Sequence, residues 1–255
     1  MYVIKENEIV YIDYKDREIV LEGADPDTFE VLEDKTLTES DLDILGIKRN
    51  NYALGKAHLA AKDKNSVWTR EVKIPDADPD TFEFYFGGQC TWGQDKNSGY
   101  CFYYYGKNRI KPIKLKGRLQ FFEDRIGGYM RMYAFDDRYV YYYGRRCRGS
   151  VSAGSRYLIQ EDVQIDTLTG DMYDDLDSMI SNNTVYYYGK VLEGADAGTA
   201  KGFSIDDPMQ GSLYIIIDRN TIFHSGRVFA PSSNRYQYAR IPQVLFDWQS
   251  ALQDH

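Results

Sequence analysis

Asp136-Asp137-Arg138-Tyr139-Val140-Tyr141-Tyr142-Tyr143-Gly144 returns 45 residues later as Ser181-Asn182-Asn183-Thr184-Val185-Tyr186-Tyr187-Tyr188-Gly189. The tetrapeptide Tyr-Tyr-Tyr-Gly occurs a third time at residues 103–106. Recurrence of so unusual a segment marks an internal repeat, and a repeat decides the architecture before local propensity does. Further copies are Asp218-Arg219-Asn220-Thr221-Ile222-Phe223-His224-Ser225-Gly226 and Asp63-Lys64-Asn65-Ser66-Val67-Trp68, where Glu71 replaces the glycine. Counted back from Gly106, the third copy has its Asp95-Lys96-Asn97 displaced by three residues. The most worn copy is centred on Val10-Tyr11. The aligned apolar positions are Val10, Val67, Phe102, Val140, Val185 and Ile222, spaced by 57, 35, 38, 45 and 37 residues. Six units of roughly forty residues fill the chain.

Each part of the unit has a physical reading. Asp-Lys-Asn is turn chemistry, since short polar side chains bond neighbouring backbone groups and tolerate the left-handed region. Val-Tyr-Tyr-Tyr is a strand, β-branched and aromatic. Gly followed by Lys or Arg supplies the positive-φ position of a tight hairpin, and a second strand follows, as at Val191-Leu192. Alternation places Val140 and Tyr142 on one face and Tyr141 and Tyr143 on the other. Each hairpin is therefore expected to show aromatic rings on both faces, one set buried and one available. A second element recurs after the hairpin: Glu22-Gly23-Ala24-Asp25-Pro26-Asp27-Thr28-Phe29-Glu30 matches Pro75-Asp76-Ala77-Asp78-Pro79-Asp80-Thr81-Phe82-Glu83, with a worn form at residues 193–199. Asp25 and Asp78 stand as N-caps before Pro at the first helical position. This predicts one helical turn, then a third strand over residues 29–32 and 82–85.

The paired motifs resemble the DKNYY family of bacterial repeat proteins. The residues that carry the resemblance are 63–68, 136–144, 185–190, 23–30 and 77–83, and such copies span most of the chain. The resemblance implies a repeat architecture. It brings with it neither an activity nor a set of catalytic residues.

Composition bounds the remaining possibilities. The chain has 255 residues, 43% of them hydrophobic, including 23 Tyr. Its mean hydropathy is −0.55. That length buries a core without disulfides or metals. Cys90, Cys101 and Cys147 are too few, and odd in number, for a disulfide framework; Cys90 and Cys101 could meet across a hairpin, but two reduced thiols are expected. The start has no basic segment followed by an apolar run, and no stretch approaches the roughly 20 apolar residues that span a bilayer, so a cytoplasmic protein without membrane contact is expected. Net charge is −8, unevenly spread. Residues 107–156 carry 13 Lys/Arg and 4 Asp/Glu; the rest carry 18 and 35, a balance of −17. Such a molecule attracts a basic partner at its flanks and an acidic one at its middle.

No motif carries chemistry. Asp76-Ala77-Asp78-Pro79-Asp80 opens like a calcium loop, but Thr81 and Gly87 stand where the loop needs Gly and Glu. Asp171, Asp174, Asp175 and Asp177 read as a solvated cluster, and His58, His224 and His255 are isolated. Residues 144–150 lack the lysine of a phosphate loop. Neither a cofactor nor a metal is expected. Lys107, Arg109, Lys111 and Lys114 begin an acid-free basic strip beside Tyr103, Tyr104 and Tyr105, but the acidic flanks oppose nucleic acid.

The sequence therefore predicts an all-β repeat domain over residues 1–240, with units near 1–60, 61–94, 95–132, 133–179, 180–214 and 215–240. An amphipathic capping helix follows over 241–255, with Ile241, Val244, Leu245, Trp248 and Leu252 at helical spacing. An open, twisted array of hairpins fits the unequal spacings better than a six-bladed propeller. The expected function is non-enzymatic protein binding, as in an immunity protein that masks a toxin, with Tyr141, Tyr143, Tyr186, Tyr188, Lys107, Arg109, Lys111 and Lys114 as contact candidates. A glycan-binding protein and a hydrolase on a propeller are the alternatives.

Overall fold

The computed structural model describes residues 1–13, 15–32, 60–85, 90–103, 110–121, 132–149, 156–157, 178–207, 211–229 and 249–250. Six small antiparallel sheets follow one another along these residues, each strand pairing with its neighbour in sequence. The first holds β1 (Tyr2–Lys5), β2 (Glu8–Ile12) and β3 (Glu18–Val20). The second holds β4 (Glu30–Val31), β5 (Ala60–Lys62), β6 (Val67–Thr69) and β7 (Val72–Lys73). The third holds β8 (Glu83–Tyr85), β9 (Cys90–Gln94) and β10 (Gly99–Tyr103), with Ile113 bridging to Gly99. The fourth holds β11 (Tyr133–Phe135), β12 (Val140–Tyr142) and β13 (Arg145–Arg146), with Gln120 bridging to Phe135. The fifth holds β14 (Arg156–Tyr157), β15 (Ser178–Ser181), β16 (Thr184–Tyr187) and β17 (Lys190–Val191). The sixth holds β18 (Lys201–Asp207), β19 (Gly211–Ile217), β20 (Ile222–His224) and β21 (Arg227–Val228). The chain divides into two compact units, Met1–Arg145 and Arg146–His255. Helix among the described residues is confined to Gln249 and Ser250. The rest of the expected cap over 241–255 lies outside them, as do residues 38–45, whose sequence Thr-Glu-Ser-Asp-Leu-Asp-Ile-Leu reads as a short capped helix.

The period of two explains how neighbouring sheets share cores. Ile9, Val67 and Val185, equivalent positions on three central strands, face the next sheet. Val67 packs with Phe82, Phe84 and Tyr100, and Val185 with Ile216 and Phe223. The following residue faces the previous sheet: Trp68 packs with Tyr2, Ile9 and Tyr11, and Tyr141 with Tyr85 and Trp92. Both faces of each central strand are therefore covered. The expectation that one aromatic face stays available is corrected at Tyr141 and Tyr186, which are fully buried.

Two register assignments also change. Leu21, Ile74, Leu192 and Phe229 donate their N–H to the carbonyls of Ile9, Val67, Val185 and Ile222. The first copy is thus centred on Ile9, one residue before Val10. In the third copy the turn, not Gly106, sets the register. Tyr100 donates its hydroxyl to Asp95 Oδ2 at 2.9 Å, as Tyr141 does to Asp136 Oδ2 at 2.7 Å. Gly99, rather than Phe102, takes the place of Val140, and no displacement exists.

The Asp of Asp-Lys-Asn does more than close its own turn. Asp63, Asp95, Asp136 and Asp218 are buried. Each accepts, at Oδ1, the N–H two residues on, as Asn65, Asn97, Arg138 and Asn220 show at 2.7–2.8 Å. Oδ2 reaches back to the preceding unit and accepts the N–H of Asp25 (2.9 Å), Asp78 (2.9 Å), Lys116 (2.7 Å) or Asp196 (2.7 Å). Thr28, Thr81 and Thr199 return the bond, their hydroxyls accepting the N–H of Lys64, Lys96 and Arg219. Lys64–Asp25, Lys96–Asp78 and Arg219–Asp196 ion pairs close the same joint. The two sequence motifs are the two halves of one staple.

The predicted caps form: Asp25 and Asp78 accept the N–H of Asp27 (3.1 Å) and Asp80 (3.0 Å) at Oδ1. Each segment is a single turn, Thr28 N–H to Asp25 O at 3.3 Å and Thr81 N–H to Asp78 O at 3.4 Å, leading into β4 and β8. Before it, Gly23 (φ +79°), Asp76 (φ +58°) and Gly194 (φ +84°) occupy one equivalent left-handed position. A methyl group at Gly23 or Gly194 would meet nothing within 4 Å. Gly23→Ala and Gly194→Ala should nevertheless each cost about 1 kcal/mol in denaturant unfolding, because the penalty lies in the backbone.

Candidate functional site

The hairpin tips are among the exposed parts of the repeat. Two-residue turns of this hand need positive φ at both central positions, for which Asn-Gly is the cheapest pair. Tyr143-Gly144 (φ +46°, +72°), Tyr188-Gly189 (+50°, +70°) and Ser225-Gly226 (+49°, +73°) fill them, and Arg70 (+52°) opens the second sheet's tip. Glycine is required twice over where tips touch a neighbouring sheet. A Cβ on Gly144 would lie 2.7 Å from Cys101 Cβ, and one on Gly226 would lie 2.5 Å from Tyr187 Cδ1. Tyrosine at the first tip position is the opposite case, a bulky side chain held where it costs about 1–3 kcal/mol. Tyr188 is 41% exposed and stands edge-on to Tyr187 at 4.6 Å between centroids. Tyr143 is half-buried, edge-on to Tyr142 at 4.7 Å. Arg145 and Lys190 follow these tips and are exposed.

The structure separates the predicted contact residues. Tyr141 and Tyr186 drop out as surface anchors, because both rings are fully buried and their hydroxyls are sealed. Tyr141 bonds Asp136, and Tyr186 donates to Arg148 O at 2.6 Å. Ser181 stands where Asp63, Asp95, Asp136 and Asp218 supply a carboxylate in four other copies, which explains the different acceptor. Tyr143 and Tyr188 stay at the surface. Lys107 and Arg109 lie outside the described residues. Lys111, Lys114 and Lys116 are exposed, and Ile113 and Leu115 between them pack into the core of the third and fourth sheets. Arg118 is tied to Glu83, and Arg138 lies 5.4 Å over the Tyr139 ring.

The expectation of two free thiols is corrected. Cys90 and Cys101 are joined, with Cα atoms 6.6 Å apart. They are diagonal neighbours on β9 and β10, since Cys101 pairs with Trp92 and Cys90 lies two residues away on the same face. Cys147 is buried and takes no part in a disulfide. Asp78 spends its carboxylate on Lys96 and on the Asp80 N–H, which together hold its pKa below the usual value. His224 is a strand residue whose pKa burial lowers. The acidic cluster at 171–177, His58 and His255 lie outside the described residues. Among the described residues, no three His, Cys, Asp or Glu side chains converge, and no helix is long and apolar enough to cross a membrane.

Sequence reasoning missed two things: the cross-unit reach of the turn aspartates and the strain at the tyrosine tips. The first had a signal, the constant company of Asp-Lys-Asn and Asp-Pro-x-Thr. The second follows from Tyr standing where Asn precedes Gly in ordinary tight hairpins. The DKNYY family model matches residues 2–227, so the chain belongs to the DKNYY family. No curated protein and no solved structure matches it.

Proposed function

We propose that this member of the DKNYY family is a non-enzymatic protein-binding module that grips its partner through the hairpin-tip tyrosines, Tyr188 first and Tyr143 beside it. The observation that carries the reading is Tyr188, an exposed aromatic ring held at φ +50° where Asn would be relaxed. Strain kept at a surface site points to use, and Tyr and Arg are the residue types that dominate interface energetics. Lys111, Lys114, Arg145 and Lys190 supply charge around the tips, which steers encounter more than it holds the complex. The finer form of the proposal is six degenerate units in an open array with a C-terminal capping helix. In that form the chain acts as an immunity protein that masks a toxin, a role supported by segregated charge and the lack of catalytic motifs.

Tyr188→Asn separates binding from folding. Relief of the left-handed strain offsets the lost ring contact, so stability should stay within about 0.5 kcal/mol. Affinity for a protein captured from the native host should fall by at least ~2 kcal/mol, about thirtyfold. Unchanged affinity, or capture of polysaccharide in place of protein, would overturn the reading. Hydrolysis of a model ester or glycoside by the pure protein would do the same.

A further inference from the structure

One residue before each hairpin turn lies a position whose backbone reaches outward to another strand. Lys62 pairs with Glu30, Gln94 with Glu83, Phe135 with Gln120, Ile180 with Arg156 and Ile217 with Lys201. In the fourth sheet the exchange is complete: Gln120 N–H donates to Phe135 O at 2.8 Å and Phe135 N–H to Gln120 O at 3.0 Å. Ile4 is the same position in the first sheet, one residue before Lys5 and its Glu6-Asn7 turn.

The register fixes where the backbone of β1 points. Lys5 pairs with Glu8 across a two-residue turn, and Met1 and Ile12 exchange bonds at 2.5 and 2.7 Å. Val3 and Lys5 therefore bond inward to β2, while the N–H and C=O of Tyr2 and Ile4 point out of the sheet. Among the described residues nothing pairs with them. The side chain agrees: Ile4 is 61% exposed, against 8% for Ile180 and 1% for Ile217. Nor is the edge guarded in the usual ways. It carries no proline, and Lys5 is held across the sheet by Glu18 at 2.5 Å.

We propose that β1 is a docking edge for an extended segment of a protein partner, which adds antiparallel as a fourth strand. The class of partner rests on the protein-binding reading above. The other sheets state what fits: a polar or charged residue opposite Ile4, the place held by Glu30, Glu83, Gln120, Arg156 and Lys201, and in most of them an apolar residue next to it, as in Glu30-Val31 and Glu83-Phe84. Backbone bonds to Tyr2 and Ile4 provide the hold, and the alternating side chains the selectivity.

A synthetic peptide with the sequence of residues 80–85, added in trans to the full chain, tests this by residue-resolved amide hydrogen exchange. Exchange at Tyr2 and Ile4 should slow at least about tenfold at saturation, with Val3 and Lys5 little changed. Ile4→Pro removes an outward donor without touching the β1–β2 bonds, and should abolish the protection while the melting curve is kept. N-methylation of the peptide's glutamate amide should abolish it as well, leaving the protein unaltered. No protection at about 1 mM peptide, or protection indifferent to N-methylation, would overturn the proposal. So would slow exchange at Ile4 in the peptide-free protein, or a dimer joined at β1, which would show the edge already occupied. Tyr188-dependent binding of a host protein that survives Ile4→Pro would leave the tip reading standing and is read separately.

Discussion

Alanine in place of Asp136 should lower stability by at least about 4 kcal/mol, a large share of the 5–15 kcal/mol typical of a domain. Its carboxylate accepts four bonds: Arg138 N–H at 2.8 Å, and Tyr139 N–H, Lys116 N–H and the Tyr141 hydroxyl at 2.7 Å each. Asp136 has no exposed surface, so water does not readily replace it. Each orphaned buried donor costs about 1–3 kcal/mol. Asp137, the next residue, is exposed, and alanine there should move stability by no more than about 0.5 kcal/mol. Denaturant unfolding of the two variants side by side is the measurement. Equal losses would mean that the joint between the third and fourth sheets is not held by this side chain.

The same residue sets a pH dependence. Burial works against ionisation of Asp136, but the Tyr141 hydroxyl and the N–H groups of Arg138, Lys116 and Tyr139 outweigh it and hold the pKa below the usual value. A carboxyl depressed on folding contributes stability that is complete above about pH 4 and is lost as pH falls through the depressed value. Asp25, Asp78 and Asp196 are also depressed, by Lys64, by Lys96 and by the Gly198 N–H with Arg219 respectively. Joints on both units therefore loosen together in acid.

Much of this was legible in the sequence, and the limits were physical. The hairpins at Gly144 and Gly189, the buried Val140 and Val185, and the caps at Asp25 and Asp78 follow from local chemistry, which neighbouring residues determine. The register of the third copy does not. Tyr103, Tyr104, Tyr105 and Gly106 imitate the motif letter for letter, but the position is fixed by where Asp95 can reach, and Tyr100 is the ring that meets it. Burial of Tyr141 depends on a second sheet covering the outer face, a long-range fact that alternation alone cannot supply. Exposure at Tyr188 and Ile4 is invisible for the same reason. The first depends on a turn geometry that Tyr seldom adopts, and the second on an outer strand that five sheets have and that, among the described residues, the first lacks.

Val140→Asp should cost about 3–5 kcal/mol at neutral pH, because the new carboxylate is taken out of water into an apolar core position. Val140 sits on the central strand of its sheet with no exposed surface, paired with Phe135. Val185→Asp, at the equivalent place in the other unit, should cost the same within about 1 kcal/mol if the repeat alignment is right. Val228 belongs to the edge strand β21 and is 57% exposed, so Val228→Asp should fall within about 0.5 kcal/mol of the parent. The pH profile gives a second reading of opposite sign from that of Asp136. Burial raises the pKa of the introduced carboxyl, so its penalty is full above that raised value and shrinks as pH falls towards the unfolded value of about 3.9. Between pH 7 and 5 the Val140 variant should gain stability relative to the parent. A variant that unfolds with the parent's midpoint, or one whose deficit does not change with pH, would show that Val140 is not in a closed core and would remove the basis for equating the two units.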